Sequence, residues 1–463
     1  MSYIEKLRPL LRRGVTFLRD ASQEGGALLV VAHYDADGLA AASIIASLLN
    51  GWGIDFHLTF VEQLYPDVVS ELPLREYSRL LLLDLGSGYK DILASMHLQN
   101  ALIIDHHPPH PQKELSGVVE INPYLVGIDA STRSCAASVA FAVAIEADPS
   151  AKRLAHIAVA GALGDRMDNG DKFSLTGLNS EVVEIAKLEG FVEESVGLRL
   201  FGSRTRSIVA ALAATMDPFI PGLSGSEAAA YNFLQRIGIE PKAGNELRPL
   251  ASLTKEEEKL LATELVKYMV LSGVSVREAQ KIVGYNYYLV KEPPSSMLKD
   301  LREYAYLLNA LGRMEQYPTA VALNMGYKGK YLARAEEVLR HYRRLLAKYI
   351  SLVESEWYDV VKEGTAGAIA FLEDLPSKLT GSLCSVVSSI ASSRLRGKKF
   401  FGVAARYGKG KWKISFRRLS EDVDLGEFLR SLASKVGGVG GGHPAAGGLL
   451  VDENAVQSLV EHI

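Results

Sequence analysis

Four acidic or histidine-bearing stretches each follow directly on an apolar run, and this recurrence constrains the fold more than any other feature. They are His33-Tyr34-Asp35-Ala36-Asp37-Gly38, Asp84, Asp105-His106-His107 and Asp165. Strands of a parallel sheet end where ligands bind. The pattern is therefore expected to carry five aspartates and several histidines, from four distant places, to one sheet edge. Such a cluster repels itself unless it holds cations. The chemistry it points to is two-metal hydrolysis of a phosphate ester.

The strands and helices around these stretches can be placed. Leu28-Leu29-Val30-Val31, Leu80 to Leu83 and Ala101 to Ile104 read as buried strands. Leu39 to Leu49 and Ser134 to Ile145 read as helices, whereas Ile157 to Leu163 fits either a strand or a helix end. Strands alternating with helices predict a doubly wound α/β domain on a parallel sheet. From roughly residue 196 to 360 helical patterns dominate, at 255–271, 275–283, 296–311 and 334–353, with breaks at Pro218, Pro221 and Gly222. This reads as a helical insert followed by a connecting helix. Beyond residue 361 a smaller α/β pattern returns, with strands at 367–371, 400–405 and 411–416 and a glycine cluster at 437–442. The expected domains are 1–195, 196–360 and 361–463.

Composition narrows the class. A chain of 463 residues exceeds one ordinary core. The net charge of −3 means that any nucleic-acid footprint has to be local. Cys135 and Cys384 are the two cysteines and lack metal spacing, which argues against a disulfide framework or zinc site and fits a reducing cytoplasm. No apolar stretch reaches the ~18 residues of a membrane span. Met1 to Asp20 reads as an amphipathic helix without the uncharged core of a signal peptide.

In the first stretch His33, Asp35 and Asp37 alternate, so in an extended segment all three share a face. Gly38 would then allow the tight turn into the next helix. Carboxylates with one or two imidazoles suit Mn²⁺ before Mg²⁺. Asp84 is placed in sequence to bridge two ions. His106 and His107, leaving a strand side by side, are expected on opposite sides, one for metal and one for substrate. Any one of these aspartates alone would read as a solvated turn residue; four stretches in one pattern do not.

These motifs make the chain resemble the DHH phosphoesterase superfamily, and within it the RecJ-like single-strand exonucleases, over nearly its whole length. His33, Asp35 and Asp37 fit the first motif, and Asp84 in Leu83-Asp84-Leu85-Gly86-Ser87-Gly88 fits the second. Asp105-His106-His107-Pro108-Pro109 fits the third and Gly161-Ala162-Leu163-Gly164-Asp165 the fourth, while Gly440-Gly441-Gly442-His443-Pro444 resembles the C-terminal DHH-associated domain. The segment from Leu198-Arg199-Leu200-Phe201-Gly202 to Pro221-Gly222 is similar to archaeal RecJ-like proteins, including the GINS-associated nuclease. No core motif is degenerate, unlike those of the inactive relatives that serve as replicative-helicase factors.

The resemblance implies a parallel-sheet DHH domain, a helical insert and a smaller C-terminal α/β DHH-associated domain. It implies one divalent cation on His33, Asp35 and Asp84 and a second on Asp37, Asp84, His106 and Asp165. His107 would contact the scissile phosphate and Asp105 would orient a histidine. The implied substrate is single-stranded DNA, extending to RNA, cut 5′ to 3′ as in RecJ. An archaeal relative associated with a repair helicase implies 3′ to 5′ instead. Relatives acting on oligoribonucleotides or phosphorylated nucleotides are shorter, and the insert disfavours that alternative. A replication factor such as GINS is the implied protein partner. His110 and Asp168 read as ordinary loop residues, Asp168 as solvated.

Arg394 to Arg418 holds ten lysines or arginines and no acid, interleaved with Phe400, Phe401, Tyr407, Trp412 and Phe416. Basic groups with aromatics suit single strands, although several of these aromatics also have to serve the core. Ser415 and Arg417 resemble a Ser-x-Arg whose arginine grips phosphate. The run Gly437 to His443, with Gly441, Gly442 and His443, is expected to turn successive N–H groups to an anion. Asn309 and Arg313, one helical turn apart, resemble an Asn-x-x-x-Arg of the RecJ-like group; a helix-face role fits them equally. In this reading a cleft between two lobes admits a single strand and excludes a duplex.

Overall fold

The computed structural model describes residues 1–95, 100–111, 115–391, 394–408 and 410–463; Lys409 of the basic run lies outside them. The chain divides into two compact units. The first comprises Met1–Ala211, Gly238–Ala262 and Lys281–Leu339, and the second Leu212–Ile237, Thr263–Gln280 and Arg340–Ile463.

The first unit is built on a five-stranded parallel sheet of order β2-β1-β3-β4-β5. Its strands are β1 (Leu28–His33), β2 (Phe56–Val61), β3 (Arg79–Leu83), β4 (Ala101–Ile104) and β5 (Val118–Ile121). The three central strands are continuous apolar runs because both of their faces are covered. The two edge strands escaped the sequence reading. β2 is only half-buried and mixes polar with apolar residues, and β5 is four residues long.

Helix α1 (Tyr3–Glu24) starts on a capping box of Ser2 and Glu5. Helices α2 (Ala36–Gly51), α3 (Ala136–Ala147) and α4 (Ala155–Gly164) are rich in small residues and almost wholly buried. Residues 157–163 are therefore helical, and Asp165 is delivered by a helix end rather than a strand end. The reason is close approach. A Cβ at Gly161 would lie 2.5 Å from the Ala137 Cβ, and one at Gly164 would lie 2.4 Å from the Ala36 Cβ. Glycine at both places lets α4 press against α2 and α3.

The insert is not purely helical. β6 (Val192–Leu198) leads into it, and β7 (Lys242–Ala243) with β8 (Glu246–Leu247) forms a small ribbon within it. β9 (Val283–Leu289) returns antiparallel to β6. The expected helix at 275–283 is shorter, Val276–Gln280, because Val283 begins a strand. Helices α5 (Lys255–Leu271), α6 (Leu301–Arg313) and α7 (Lys330–Ser355) follow the predicted periodicities. Among the described residues no helix is long and apolar enough to cross a membrane.

The second unit carries a six-stranded mixed sheet: β10 (Val361–Glu363), β11 (Gly367–Leu372), β12 (Phe400–Tyr407), β13 (Lys411–Arg418), β14 (Val439–His443) and β15 (Ala446–Asp452). Their order is β10-β11-β12-β13-β15-β14. Helix α8 (Thr380–Ile390) packs against β12 and β13, and helix α9 (Leu425–Val436) against β14 and β15. Trp412, Ile414 and Phe416 alternate into the core beside Leu425, Leu429 and Leu432 of α9. Phe400, Phe401, Trp412 and Phe416 are all buried, so only Tyr407 of the five aromatics keeps appreciable exposure. They build the core and are not stacking platforms.

Part of the basic run is likewise paired with neighbours in the fold. Lys398 pairs with Glu363, Lys399 with Asp422, and Arg406 with Glu373 and Glu453. Arg394 donates to the Glu354 carbonyl and lies over Trp357. The run holds no acid, but its tertiary neighbours supply them.

Candidate metal centre

The sheet order places a topological switch between β1 and β3, the crevice where open α/β sheets hold ligands. β1 ends in His33 and β3 runs into Asp84. Asp84 has a positive φ of 62°, which a non-glycine residue holds only at a cost. This conformation aims its carboxylate to both sides. Oδ2 lies 3.2 Å from His33 Nδ1, while Oδ1 lies 3.5 Å from His106 Nε2 and 3.8 Å from His107 Nδ1.

Three groups result whose ligand atoms lie within 4.8 Å of one another: His33, Asp35 and Asp84; Asp37, His106 and Asp165; and Asp84, His106 and His107. Asp84 and His106 each belong to two of them. Around His106 Nε2 stand Asp84 and Asp165, both at 3.5 Å, and Asp37 at 3.8 Å.

Asp35 does not lie in an extended run with Asp37. Its side chain caps α2, accepting from the amides of Asp37 and Gly38. Asp37 is then inside the first turn of α2 and buried. Its two oxygens accept the N–H groups of Ala136 and Ala137 at 2.7 and 2.8 Å, at the start of α3. A helix N-terminus thus fixes this carboxylate. Gly38 serves close approach rather than a turn, since a Cβ there would lie 2.2 Å from the His33 carbonyl oxygen.

His106 and His107 do not point to opposite sides. Their ring centroids are 4.5 Å apart and both rings face the carboxylates. The cause is Asp105, buried at the end of β4. Its Oδ1 accepts from the His106 amide, the His107 amide and His107 Nδ1, and its Oδ2 from the Ser87 amide. The chain curls around this carboxylate, so strand alternation ends at Ile104.

Electrostatics show how strongly the cluster draws positive charge. Burial would lower the pKa of His33, but Asp35 and Asp84 outweigh it and hold it well above the usual histidine value. Burial likewise opposes protonation of His106, and Asp84, Asp165 and Asp37 raise it well above. Asp165 is pushed up to about 6 by burial, with the charges of Asp35 and Asp84 adding to it. Burial and then the charges of Asp84 and Asp165 raise Asp37 well above the carboxylate range.

The residues fit divalent cations. Asp84 Oδ1 and Asp165 Oδ2 are buried and have no hydrogen-bond partner among the described residues, a costly state for a carboxylate oxygen unless a cation meets it. Carboxylate oxygens mixed with imidazole nitrogens are ligands for Mn²⁺ or Mg²⁺.

Two asparagines hold the site from behind. Asn122, at the end of β5 and fully buried, donates to Ser87 Oγ and to the His107 carbonyl, both at 2.9 Å. It was missed in the sequence, although it too ends a strand as Asp84 and Asp105 do. Asn309 accepts from the Ala36 amide at 3.1 Å and donates to the Gly164 carbonyl at 3.3 Å, tying the first and fourth motifs together. Burial would raise the pKa of Asp35, but His33 above all, with the charge of Arg313 adding to it, holds it below the usual carboxylate range. Asp168 is not solvated but forms an ion pair with Arg199. The His110 amide donates to the Ser87 carbonyl at 2.7 Å.

In the second unit Lys413, Ser415 and Arg417 share the face of β13 beneath α8. Ser415 Oγ lies 2.8 Å from Thr380 Oγ1, Arg417 donates to Ser385 Oγ and the Gly381 carbonyl, and Lys413 Nζ donates to the Ser377 carbonyl at 3.3 Å. Gly441, Gly442 and His443 belong to edge strand β14 rather than to a loop. In an edge strand it is alternate N–H groups, not successive ones, that face outward.

The sequence matches three families: "DHH family, N-terminal domain" over residues 27–162, "DHH-CID domain" over 200–283, and "DHHA1 domain" over 376–463. The chain belongs to the DHH phosphoesterase superfamily. An uncharacterized protein of Methanocaldococcus jannaschii is 26% identical over 472 residues, covering 99% of this chain and 98% of that one. RecJ from Thermus thermophilus, solved with Mn²⁺, superposes with a TM-score of 0.56 at 18% identity over 97% of this chain. This DHH protein spans about half of that RecJ, 54% of its chain. CDC45 from Entamoeba histolytica superposes with a TM-score of 0.64 at 11% identity, covering 97% of this chain and 98% of that one. These two likenesses are likenesses of fold. The DHH protein has a RecJ-like DHH fold with a C-terminal DHHA1 domain.

Proposed function

We propose that this protein is a metal-dependent exonuclease that removes terminal nucleotides from single-stranded DNA in the 5′ to 3′ direction, using two divalent cations, Mn²⁺ before Mg²⁺. The observation that carries the reading is the bifurcated placement of Asp84, with one oxygen toward His33 and the other toward His106. His33, Asp35 and Asp84 would hold one cation; Asp37, Asp84, His106 and Asp165 would hold the other. Bound there, the pair would supply Lewis acidity to a phosphoryl oxygen and lower the pKa of a water.

The remaining roles fall to this chain's own residues. Asp105 holds His107 Nδ1 and, against the effect of burial, keeps the His107 pKa raised. His107 Nε2 is thereby presented as a donor toward a phosphoryl oxygen on which charge develops. Arg417 and Ser415 would grip the backbone of the strand in the DHHA1 domain. The likeness to RecJ solved with Mn²⁺ supports the metal. A replication factor of the GINS kind as partner belongs to the same proposal and rests on the resemblance of residues 198–222.

The test is one single-stranded oligonucleotide labelled in parallel at the 5′ or the 3′ end and incubated with Mn²⁺ or with chelator. Immediate release of a 5′-labelled mononucleotide is expected, with none in chelator. A ladder of shortening 5′-labelled strands would reverse the polarity. No cleavage with Mn²⁺ would remove the nuclease reading.

A further inference from the structure

The open part of the C-terminal sheet face has a cation that none of the motifs accounts for. Ser415 of β13, Gly448 of β15 and Gly441 of β14 pair in register across three neighbouring strands. Paired residues of antiparallel strands share a face, so the two glycines continue the face of Lys413, Ser415 and Arg417. No side chain rises from that face at the two glycines. A Cβ at Gly448 would meet nothing nearer than the Ile414 carbonyl oxygen at 3.6 Å.

Arg430 comes from α9, which packs on the opposite face. Its side chain nevertheless reaches the edge strand, since a Cβ at Gly441 would lie 3.5 Å from Arg430 Cγ. Its Cγ therefore lies beside Gly441 at the sheet edge. Arg430 is exposed, and among the described residues its guanidinium makes no hydrogen bond or ion pair. This sets it apart from Lys398, Lys399 and Arg406, which all have acidic partners.

We propose that Arg430 is a second phosphate-binding residue of the DHHA1 domain, holding a backbone phosphate across the bare Gly441–Gly448 floor from Ser415 and Arg417. The inference rests on the single-strand reading above. Two inter-strand steps separate Ser415 from Gly441, roughly 10 Å at about 4.8 Å per step. A single phosphate does not span that width, but an extended strand does. Single-strand sites combine a backbone-tracking row of cations with room for sugars and bases, and glycines leave that room where a side chain would fill it. The planar fork of arginine suits a phosphate oxygen pair.

The experiment is fluorescence anisotropy of a short labelled oligothymidylate with the full chain, in chelator so that no strand is cut, across a salt series. Arg430→Gln is expected to weaken binding about tenfold and to reduce the slope of log K against log salt by about 0.7, the loss of one phosphate contact on a single strand. Arg430→Lys should keep most of the slope. An Arg430→Gln slope equal to that of the parent protein, with the parent binding normally, overturns this inference and leaves the single-strand reading standing. No binding by the parent protein overturns both.

Discussion

Asp105 Oδ1 lies 2.8 Å from His107 Nδ1, and the same oxygen takes the amide N–H groups of His106 and His107. One buried oxygen therefore sets both the ring of His107 and the backbone that presents the two histidines. The acceptor is a carboxylate, so Nδ1 carries the proton.

Asp105→Asn should disturb this without unfolding the sheet. An amide offers only one acceptor oxygen, and its NH₂ would face the Ser87 N–H now bound by Oδ2. Groups that orient ligands or catalytic histidines typically cost 10–100-fold when changed. We expect kcat on single-stranded DNA to fall by about that factor. Unchanged turnover would remove Asp105 from the role of positioning His107.

Asp84→Ala removes the carboxylate shared by two groups of ligand atoms. Cleavage should vanish, while the metal-free protein melts at or above the parent temperature because one member of a repulsive cluster is gone. The increase in Tm that Mn²⁺ gives the parent should shrink, since a ligand stabilises only the state it binds. Normal turnover of Asp84→Ala with Mn²⁺ would sink the metal assignment.

Gly161→Ala tests how Asp165 is delivered. The added methyl would meet the Ala137 Cβ at 2.5 Å and Asp37 Oδ1 at 3.0 Å, and the Ala137 Cβ moves only with its backbone. Overpacking of this kind costs about 1–3 kcal/mol. Urea unfolding should show that loss together with weaker Mn²⁺ binding. A variant as stable as the parent would mean that α4 has slack the packing does not suggest.

Arg417→Ala should weaken single-strand binding more than metal binding. Its guanidinium is oriented by Ser385 Oγ and the Gly381 carbonyl, in a unit that contains none of the clustered metal-type ligands. Filter binding is expected to lose about tenfold or more in affinity, with the Mn²⁺-induced rise in Tm retained. Parent-like affinity would count against the phosphate role.

His156 gives a pH prediction away from the metal site. It stacks on Phe191, with ring centroids 5.5 Å apart, and burial pushes its pKa down to about 4. Below its unfolded value of about 6.5 the unfolded chain takes up a proton that the folded chain refuses. His156 therefore costs stability as pH falls from about 6.5 toward 4, by up to roughly 3 kcal/mol. In His156→Phe the drop in urea midpoint between pH 7.5 and pH 5 should be smaller than in the parent. An equal drop would show that His156 is protonated in the folded state.

Sequence by itself determined the elements whose signal is local. Leu28–Val31, Leu80–Leu83 and Ala101–Ile104 are central strands because an unbroken apolar run is stable only with both faces covered. The residues after them gather at one edge because parallel strands end together, and His33, Asp84 and His106 follow from that alone. Tertiary structure decided what depends on neighbours distant in sequence. Asp165 arrives on a helix because Gly161 and Gly164 let α4 close on α2 and α3. Asn122 and Asn309 become supports only when the loops they bond are folded beside them. The basic run at 394–418 looks like a free charged face in one dimension. In three, Glu363, Glu373, Asp422 and Glu453 pair with Lys398, Lys399 and Arg406. Burial and pairing are properties of the packed chain, and a residue's own type and near neighbours carry no record of which distant side chain will meet it.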